Sequence, residues 1–305
     1  QKERERGRKV VWMGNCCSSE GSSRAVHRPS KNILCFRDRF KTLQDLQQAL
    51  SSSGLDEVRM VFAVDFTGSN QSTGKRTFGG RNLHTLFPED EVDPVSGRPL
   101  LNPYQEVMRI MTVVLEMYSS RDHGIQAFGF GDAKTRGHSV FSFAPEGSAE
   151  PLRSFSEIMQ RYREIVPTLT LSGPTSFAPA IHKALELVKE TNEYHILIII
   201  ADGQINDNDE TAKAIVEASN YPLSIITVGV GDGPWRLMEV FDDSIKGRRF
   251  DNFQFVKFHD CMAQSHSKPE VNFALNALME IPDQLAAIRQ LGLLPPKHPA
   301  HDSTV

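Results

Sequence analysis

The sequence predicts an α/β fold, in which a doubly wound and mostly parallel sheet carries helices on both faces. Short apolar runs suited to strands alternate along the chain with segments whose apolar residues recur at helical spacing. The runs are apolar at nearly every position, which is typical of parallel strands buried on both sides. A chain of 305 residues, 39% of them hydrophobic, is also long enough to bury a full core.

The predicted strands are rich in branched and aromatic residues, which favour extended backbone. The most hydrophobic run covers 194–201 and is expected at the centre of the sheet. The run 139–143 alternates Val140 with Ser142 and is expected to form a short antiparallel edge. The other predicted strands are 58–66, 124–130, 223–230 and 253–258.

The predicted helices carry their apolar residues on one face. The first covers 103–118, where Pro103 suits the first turn, and the second covers 155–166. A third helix is expected after Thr175 or Ser176, either of which is a residue type that caps helices. The remaining predicted helices cover 207–218, 235–241 and 270–291. Alternation of this length implies right-handed crossovers between neighbouring parallel strands.

The composition argues against several classes of protein. A net charge of −4 gives no electrostatic reason to expect a nucleic-acid partner, and no apolar run approaches the ~18–20 residues of a membrane-spanning helix. The four cysteines include no Cys-x-x-Cys pair, so a reducing, cytosolic setting is expected. A RING needs about eight Cys and His ligands. Because Cys261 is the only cysteine in the last hundred residues, the sequence as given contains no RING.

Three polar motifs follow predicted strands or precede a predicted helix. Asp65, Thr67 and Ser69 are spaced two apart after the first strand, Thr175 precedes the third helix, and Asp202 follows the central strand. The carboxyl ends of parallel strands meet at one edge of a sheet, so these side chains are expected in one crevice. Carboxylate and hydroxyl oxygens suit Mg²⁺ or Mn²⁺ better than zinc or copper. The set contains no obvious base or nucleophile, which favours binding over catalysis.

The same motifs carry a resemblance to known domains. The chain resembles the metal-ion-dependent adhesion site (MIDAS) of von Willebrand factor A domains in its Asp-x-Thr-x-Ser motif, a distant Thr and a distant Asp-Gly. Within that superfamily, its sequence is similar to that of the copine domain. The plant copine-type RING ubiquitin ligases resemble the chain more closely still, from about residue 40 to 291. The copine-like segments are 64–70, 128–132, 173–179 and 228–231, and the ligase-like segments are 74–81, 161–167 and 250–255.

The resemblance implies a von Willebrand factor A fold and a role for each site residue. Thr67, Ser69 and Thr175 would reach the metal directly or nearly so, while Asp65 and Asp202 would act mostly through bound water. The cation would be Mg²⁺ or Mn²⁺, with Ca²⁺ as a further candidate. An acidic residue of a partner protein would complete its coordination. The implied function is a metal-dependent protein-interaction module in ubiquitin-ligase signalling that has no catalytic residue of its own.

Two alternatives stay open beside this hypothesis. In the first, the chain is a fragment of a RING-type E3 ubiquitin-protein ligase whose RING lies beyond Val305. In the second, it is a copine-like, calcium-dependent phospholipid-binding protein. The second is less favoured because copines carry paired C2 domains upstream, and only about forty residues precede Phe40 here.

A basic loop follows the first site motif. Lys75, Arg76 and Arg81, with His84 beside them, are expected near the crevice. Their charge is interpreted either as ordinary solvated surface charge or as a means of steering an acidic partner towards the cation.

The two ends are expected to lie outside the folded domain, which is assigned to 40–291. Residues 292–305 form a Pro-rich linker or tail, and residues 1–39 a flexible, basic tail. The first methionine is Met13, and 13–18 fits the pattern for N-myristoylation of Gly14. Cys16 and Cys17 are then palmitoylation candidates, which predicts attachment to the cytoplasmic face of the plasma membrane. If Met13 is internal and Gly14 is not acylated, a cytoplasmic or nuclear location is expected instead.

Overall fold

A six-stranded sheet forms the centre of the structure, which is a computed structural model. The predicted tail at 1–39 and the acylation sites Gly14, Cys16 and Cys17 lie outside the described residues. The structure describes residues 42–52, 55, 57–94, 97–118, 124–148, 150–203, 205–206, 208–265 and 267–295.

The sheet confirms the predicted strands and their arrangement. Its order is β3-β2-β1-β4-β5-β6, with β3 antiparallel to β2 and every other neighbouring pair parallel. The central strand β4 is buried along its whole length, as its hydrophobicity predicts. The strands are β1 Arg59–Asp65, β2 Ile125–Phe130, β3 Phe141–Ser142, β4 His195–Ala201, β5 Leu223–Gly229 and β6 Phe253–Lys257.

The helices cover both faces of this sheet. Short 3₁₀ turns at Gly68–Gln71, Glu116–Tyr118 and Val166–Thr168 supplement them. The α-helices are α1 Leu43–Ser52, α2 Pro103–Leu115, α3 Phe155–Ile165, α4 Ala178–Thr191, α5 Asn208–Ala218, α6 Arg236–Ser244, α7 Phe258–Ala263, α8 Pro269–Leu278 and α9 Ile281–Gln290.

Two hydrophobic cores form because successive strand side chains point to opposite faces. In β1, Phe62 and Val64 join a core built with α2, α3, α8 and α9, whereas Val61 and Ala63 join a second core built with α4, α5 and α6. The doubly wound architecture therefore follows from continuous apolar strands, which have no face that can be left to solvent.

The predicted closing helix over 270–291 is wrong, since the segment forms two helices, α8 and α9. The break falls at Met279 and Glu280, and Pro282 occupies the first turn of α9. Proline lacks the N–H that a continuous helix would need, and its ring would clash with the carbonyl four residues earlier. Proline in a first turn avoids both costs.

The predicted cap of the third helix is also wrong. Helix α4 begins at Ala178, and its N-cap residue, Phe177, makes no side-chain hydrogen bond to the helix. The hydroxyl of Ser176 is buried without a hydrogen-bond partner among the described residues. Thr175 is held instead by Asn206, which lies beyond β4 in the sequence.

The connection of the strands places the predicted site at the point where the winding of the sheet reverses. From β1 the chain passes to β2 on one side, and it later returns to β4 on the other side of β1. Asp65 ends β1 and Asp202 follows β4. Ligands of open α/β sheets bind at such a point because the loops on its two sides diverge and leave a crevice.

Candidate metal centre

The turn after β1 gathers three of the five predicted site residues. The backbone N–H of Thr67 donates to Asp65 Oδ1 at 2.8 Å. The 3₁₀ turn that begins at Gly68 then brings Ser69 Oγ to 3.0 Å from Thr67 Oγ1. The alternate spacing in the sequence thus places one carboxylate and two hydroxyls side by side.

Asp202 joins this cluster from the neighbouring strand. Ser69 Oγ donates to Asp202 Oδ1 at 2.9 Å. The other carboxylate oxygen, Oδ2, accepts from Thr73 Oγ1 at 2.5 Å, and the same hydroxyl lies 3.1 Å from the carbonyl oxygen of Ser69. Thr73 was not predicted from the sequence, because it lies four residues beyond Ser69 and outside the spacing of two that relates Asp65, Thr67 and Ser69.

Thr175 lies in the loop that packs beside the first turn. Ser172 of this loop pairs with Thr67 in a parallel bridge, and its carbonyl accepts from the N–H of Gly68. Thr175 exchanges two hydrogen bonds with Asn206, one through the Asn206 side chain at 2.9 Å and one through its backbone at 2.8 Å. Within the described part of the chain, the Thr175 hydroxyl makes no hydrogen bond to the other four predicted residues.

Two like charges are buried together in this crevice. Both carboxylates belong to residues that are 0% exposed. Burial raises the pKa of Asp65 well above its usual value and the charge on Asp202 raises it further, while hydrogen bonds from Thr67 oppose the shift. Burial also raises the pKa of Asp202, against hydrogen bonds from the Thr73 and Ser69 hydroxyls. Asp65 Oδ2 is buried and accepts no hydrogen bond of ordinary geometry from a described residue.

A buried histidine holds the backbone of the first turn. His84 Nε2 lies 2.8 Å from the carbonyl oxygen of Asp65, and Nδ1 lies 2.6 Å from the hydroxyl of Tyr162. Because a carbonyl only accepts, Nε2 must carry the proton, which leaves Nδ1 to accept from Tyr162. The ring stacks between Phe66 and Tyr104, with centroids 4.5 and 4.2 Å away.

His84 does not belong to the exposed basic loop, contrary to the expectation from sequence. It is 3% exposed, and burial lowers its pKa to about 3, so the ring is neutral at physiological pH. Asn70 completes the support of the turn, since its side-chain amide donates to the carbonyls of Thr67 and Asp65 and its Oδ1 accepts from Tyr104. The first turn is therefore braced by neutral groups.

Two glycines allow the neighbouring loops to approach the site. Gly131 has φ +83°, and a Cβ there would lie 2.4 Å from Thr67 Cγ2. Gly231 has φ +85°, and a Cβ there would lie 2.7 Å from the carbonyl oxygen of Thr73. The glycines that follow β2 and β5 are thus required by the left-handed backbone at these positions and by close packing against the first turn.

The three predicted partner-binding residues are exposed beside the crevice. Asp232 anchors their loop by accepting from the backbone N–H groups of Arg76 and Thr77. The Arg76 side chain donates to the carbonyl of Asp232 at 3.0 Å, and the Arg81 guanidinium lies 5.4 Å from the centroid of the Phe87 ring. The loop therefore carries positive charge on a fixed backbone.

Among the described residues, no group of three or more His, Cys, Asp or Glu side chains is arranged to hold a metal ion. The same residues include no helix with the length and apolar character needed to cross a bilayer.

Comparison with known proteins shows similarity to copines and to plant ubiquitin ligases. A profile of the copine family matches residues 96–297. Copine family protein 2 of Caenorhabditis elegans is 46% identical over 84% of this chain and 3% of that protein. E3 ubiquitin-protein ligase RGLG5 of Arabidopsis thaliana is 44% identical over 84% of this chain and 60% of that protein. The chain thus spans less than two thirds of the length of either relative.

One solved structure illustrates the more distant similarity. The manganese-loaded TRAP protein of Plasmodium vivax aligns over 78% of this chain and 74% of that chain, at 12% sequence identity and a TM-score of 0.42.

The neutral state of His84 predicts a loss of stability in acid. The folded pKa of about 3 lies below the ordinary value of 6.5, so the contribution of His84 is complete above pH 6.5 and declines as the pH falls towards 3. Between pH 7.5 and 5.0 the free energy of unfolding should fall by about 2 kcal/mol more in the wild type than in His84→Gln. Urea denaturation at the two pH values measures this difference.

The comparison isolates His84 because Asp65 and Asp202 are present in both proteins. Their raised pKa values act in the opposite direction, favouring the folded state as the pH falls, and they contribute equally to each measurement. The same change in stability in both proteins would contradict the assignment of a buried neutral ring.

Proposed function

The chain belongs to the copine family, and from this premise we propose that it binds an acidic group of a partner protein through a divalent cation. The cation would lie among the five predicted residues at the reversal point of the sheet. The clustering of Asp65, Thr67, Ser69 and Asp202 within a short chain of hydrogen bonds supports this function above all other observations.

The residues of the crevice fit a hard divalent cation. Every side chain in the cluster offers oxygen, which Mg²⁺, Mn²⁺ and Ca²⁺ prefer. Asp65 Oδ2 is a buried oxygen that accepts no hydrogen bond from a described residue, and the repulsion between Asp65 and Asp202 would be relieved by a positive charge between them. A bound cation would supply the attraction for a carboxylate. The residues of the chain would hold the cation and leave one of its coordination positions accessible to a partner's carboxylate through the exposed side of Ser69.

The exposure of Ser69 favours a protein ligand. Asp65 and Asp202 are 0% exposed, so a side chain of a partner cannot contact them directly, whereas Ser69 faces the solvent. A carboxylate that reaches the cation from outside would gain a charge-assisted contact on a turn that is already held by His84 and Asn70. Affinity for the partner would therefore depend on the metal.

Removal of one hydroxyl ligand should weaken metal binding without unfolding the domain. We expect Ser69→Ala to bind Mn²⁺ at least about tenfold more weakly than the wild type in isothermal titration calorimetry at pH 7.5. Ser72→Ala is the matched control, because the Ser72 hydroxyl bonds to the carbonyl of Ser69 and to no metal-site side chain. Equal affinity in Ser69→Ala, or no binding by the wild type, would contradict the proposed site.

The basic loop would draw the acidic partner towards the cation. Lys75, Arg76 and Arg81 are exposed beside the crevice, and their loop is fixed by Asp232. Positive charge near a cation site raises the encounter rate with acidic ligands, an effect that salt screens.

Charge reversal in this loop should slow association. We expect Lys75→Glu/Arg81→Glu to associate with a hexa-aspartate peptide about three- to tenfold more slowly than the wild type at low salt, with the difference shrinking in 0.3 M NaCl. Stopped-flow fluorescence in Mg²⁺ measures both rates. Lys213→Glu/Lys246→Glu makes the same change in net charge away from the crevice, and an equal slowing in this control would argue against local steering.

The plant relatives connect the domain to ubiquitin ligation. E3 ubiquitin-protein ligase RGLG5 is 44% identical and extends beyond the region that this chain matches. We infer that the domain would recruit a partner in that setting, while a RING elsewhere would carry the ligase activity.

We also propose that the N-terminal tail tethers the protein to the cytoplasmic face of the plasma membrane. The support is the pattern at Gly14, followed by Cys16 and Cys17, since two acyl chains anchor a protein stably and one does not.

Acylation is testable in cells that express a chain starting at Met13. We expect the wild type to incorporate an alkyne-tagged myristate and to sediment with membranes, and Gly14→Ala to lose both properties. Gly21→Ala changes a glycine of the same tail and should behave as the wild type. An unlabelled wild-type protein would rule out the myristoyl anchor.

A further inference from the structure

A cleft of about 350 Å³ lies beside the proposed cation site. Its walls come from two segments that are far apart in the sequence. One wall includes Gln71, Asn82 and His84, and the facing wall includes Leu169, Thr170 and Leu171. The volume is at the small end of the range for ligand pockets, ~300–1,000 Å³, and suits one amino-acid side chain better than a cofactor.

The cleft and the cation site share their supporting backbone. Gln71 ends the 3₁₀ turn that carries Ser69. Leu171 directly precedes Ser172, whose carbonyl accepts from the N–H of Gly68 at 2.5 Å. His84 contacts the carbonyl of Asp65 at 2.8 Å. The cleft and the proposed cation site are therefore built on the same segments of backbone.

The lining of the cleft is neutral and half apolar. Leu169 and Leu171 are partly buried and pack on the core below α2 and α3. Gln71 and Asn82 contribute amides, and His84 contributes a ring whose two nitrogens are engaged by the carbonyl of Asp65 and the hydroxyl of Tyr162. A charged side chain would lose hydration here without gaining an opposite charge, whereas an apolar side chain would gain contact with two leucines.

We infer that this cleft receives an apolar side chain of the same partner segment whose acidic residue binds the cation. The inference rests on the proposed function and specifies the partner, which presents an acidic residue with an apolar residue one or two positions away. Successive Cα atoms lie about 3.8 Å apart, so a neighbouring side chain of an extended segment falls within reach of the cleft. The cation would select for charge, and the cleft would select among acidic segments.

A selection experiment tests this specificity directly. A phage library would display nine-residue peptides with a fixed central aspartate and random residues elsewhere, and retained sequences would be counted in Mg²⁺ and in EDTA. In Mg²⁺ we expect Leu, Met, Ile or Phe to be enriched about tenfold within two positions of the aspartate. EDTA should abolish retention.

Two threonine variants separate the cleft from its surroundings. Thr170 is exposed and lines the cleft, so Thr170→Trp should fill it and remove the apolar enrichment while Mg²⁺-dependent retention persists. Thr168→Trp changes an exposed threonine of the same segment that does not line the cleft, and should keep the enrichment. Unchanged melting temperatures of both variants would show that the fold is intact.

The outcomes distinguish the two proposals. Mg²⁺-dependent retention without a flanking preference, or a preference that Thr170→Trp leaves intact, would overturn the inference about the cleft and leave the cation site standing. Failure of the wild type to retain any aspartate peptide in Mg²⁺ would count against the proposed function, and against the cleft with it.

Discussion

Two carboxylates buried in one crevice set the constraint that shapes this site. Each loses hydration worth on the order of several kcal/mol when taken out of water, and each disfavours the charge of the other. Asp202 is partly compensated by the hydroxyls of Ser69 and Thr73, but Asp65 Oδ2 has no hydrogen bond among the described residues. Hydroxyl donors reduce this cost without cancelling the charge. Only a proton or a cation does that, and the cost of burying both charges therefore supports the proposed cation site.

The first turn of the site is supported by a buried side chain that carries no charge. The ring of His84 stays neutral and donates one hydrogen bond to the backbone carbonyl of Asp65. Its other nitrogen is satisfied by Tyr162, whose hydroxyl also accepts from the side chain of Asn102 at 3.2 Å. Asn102 in turn caps α2. The turn that carries the site is thus tied to two helices by neutral hydrogen bonds.

Buried and exposed groups would have different roles in recognition at the proposed site. Buried oxygens would hold the ion, while Lys75 and Arg81 at the rim lie in water, where charge affects encounter more than final affinity. The cleft beside Gln71 is neutral and half apolar, which suits discrimination by shape and desolvation. Each group acts where its chemistry is most effective, because Coulomb attraction is strong in the interior and is screened at the surface.

The sheet, most of its helices and four of the residues that meet at its edge could be predicted from the sequence; the four are Asp65, Thr67, Ser69 and Asp202. These features follow from local signals. Runs of apolar residues identify the strands, and Asp65 and Asp202 stand at the ends of two such runs, which places both residues at strand ends. The closing helix was one exception, because apolar periodicity continues across 279–280 although Pro282 breaks the backbone pattern, and α1 and α7 were not predicted. Tertiary structure alone decided the partnership of Thr73 with Asp202, 129 residues away, and the burial and neutrality of His84. It also decided the cleft, since all three depend on contacts between distant segments, which no local period or spacing encodes.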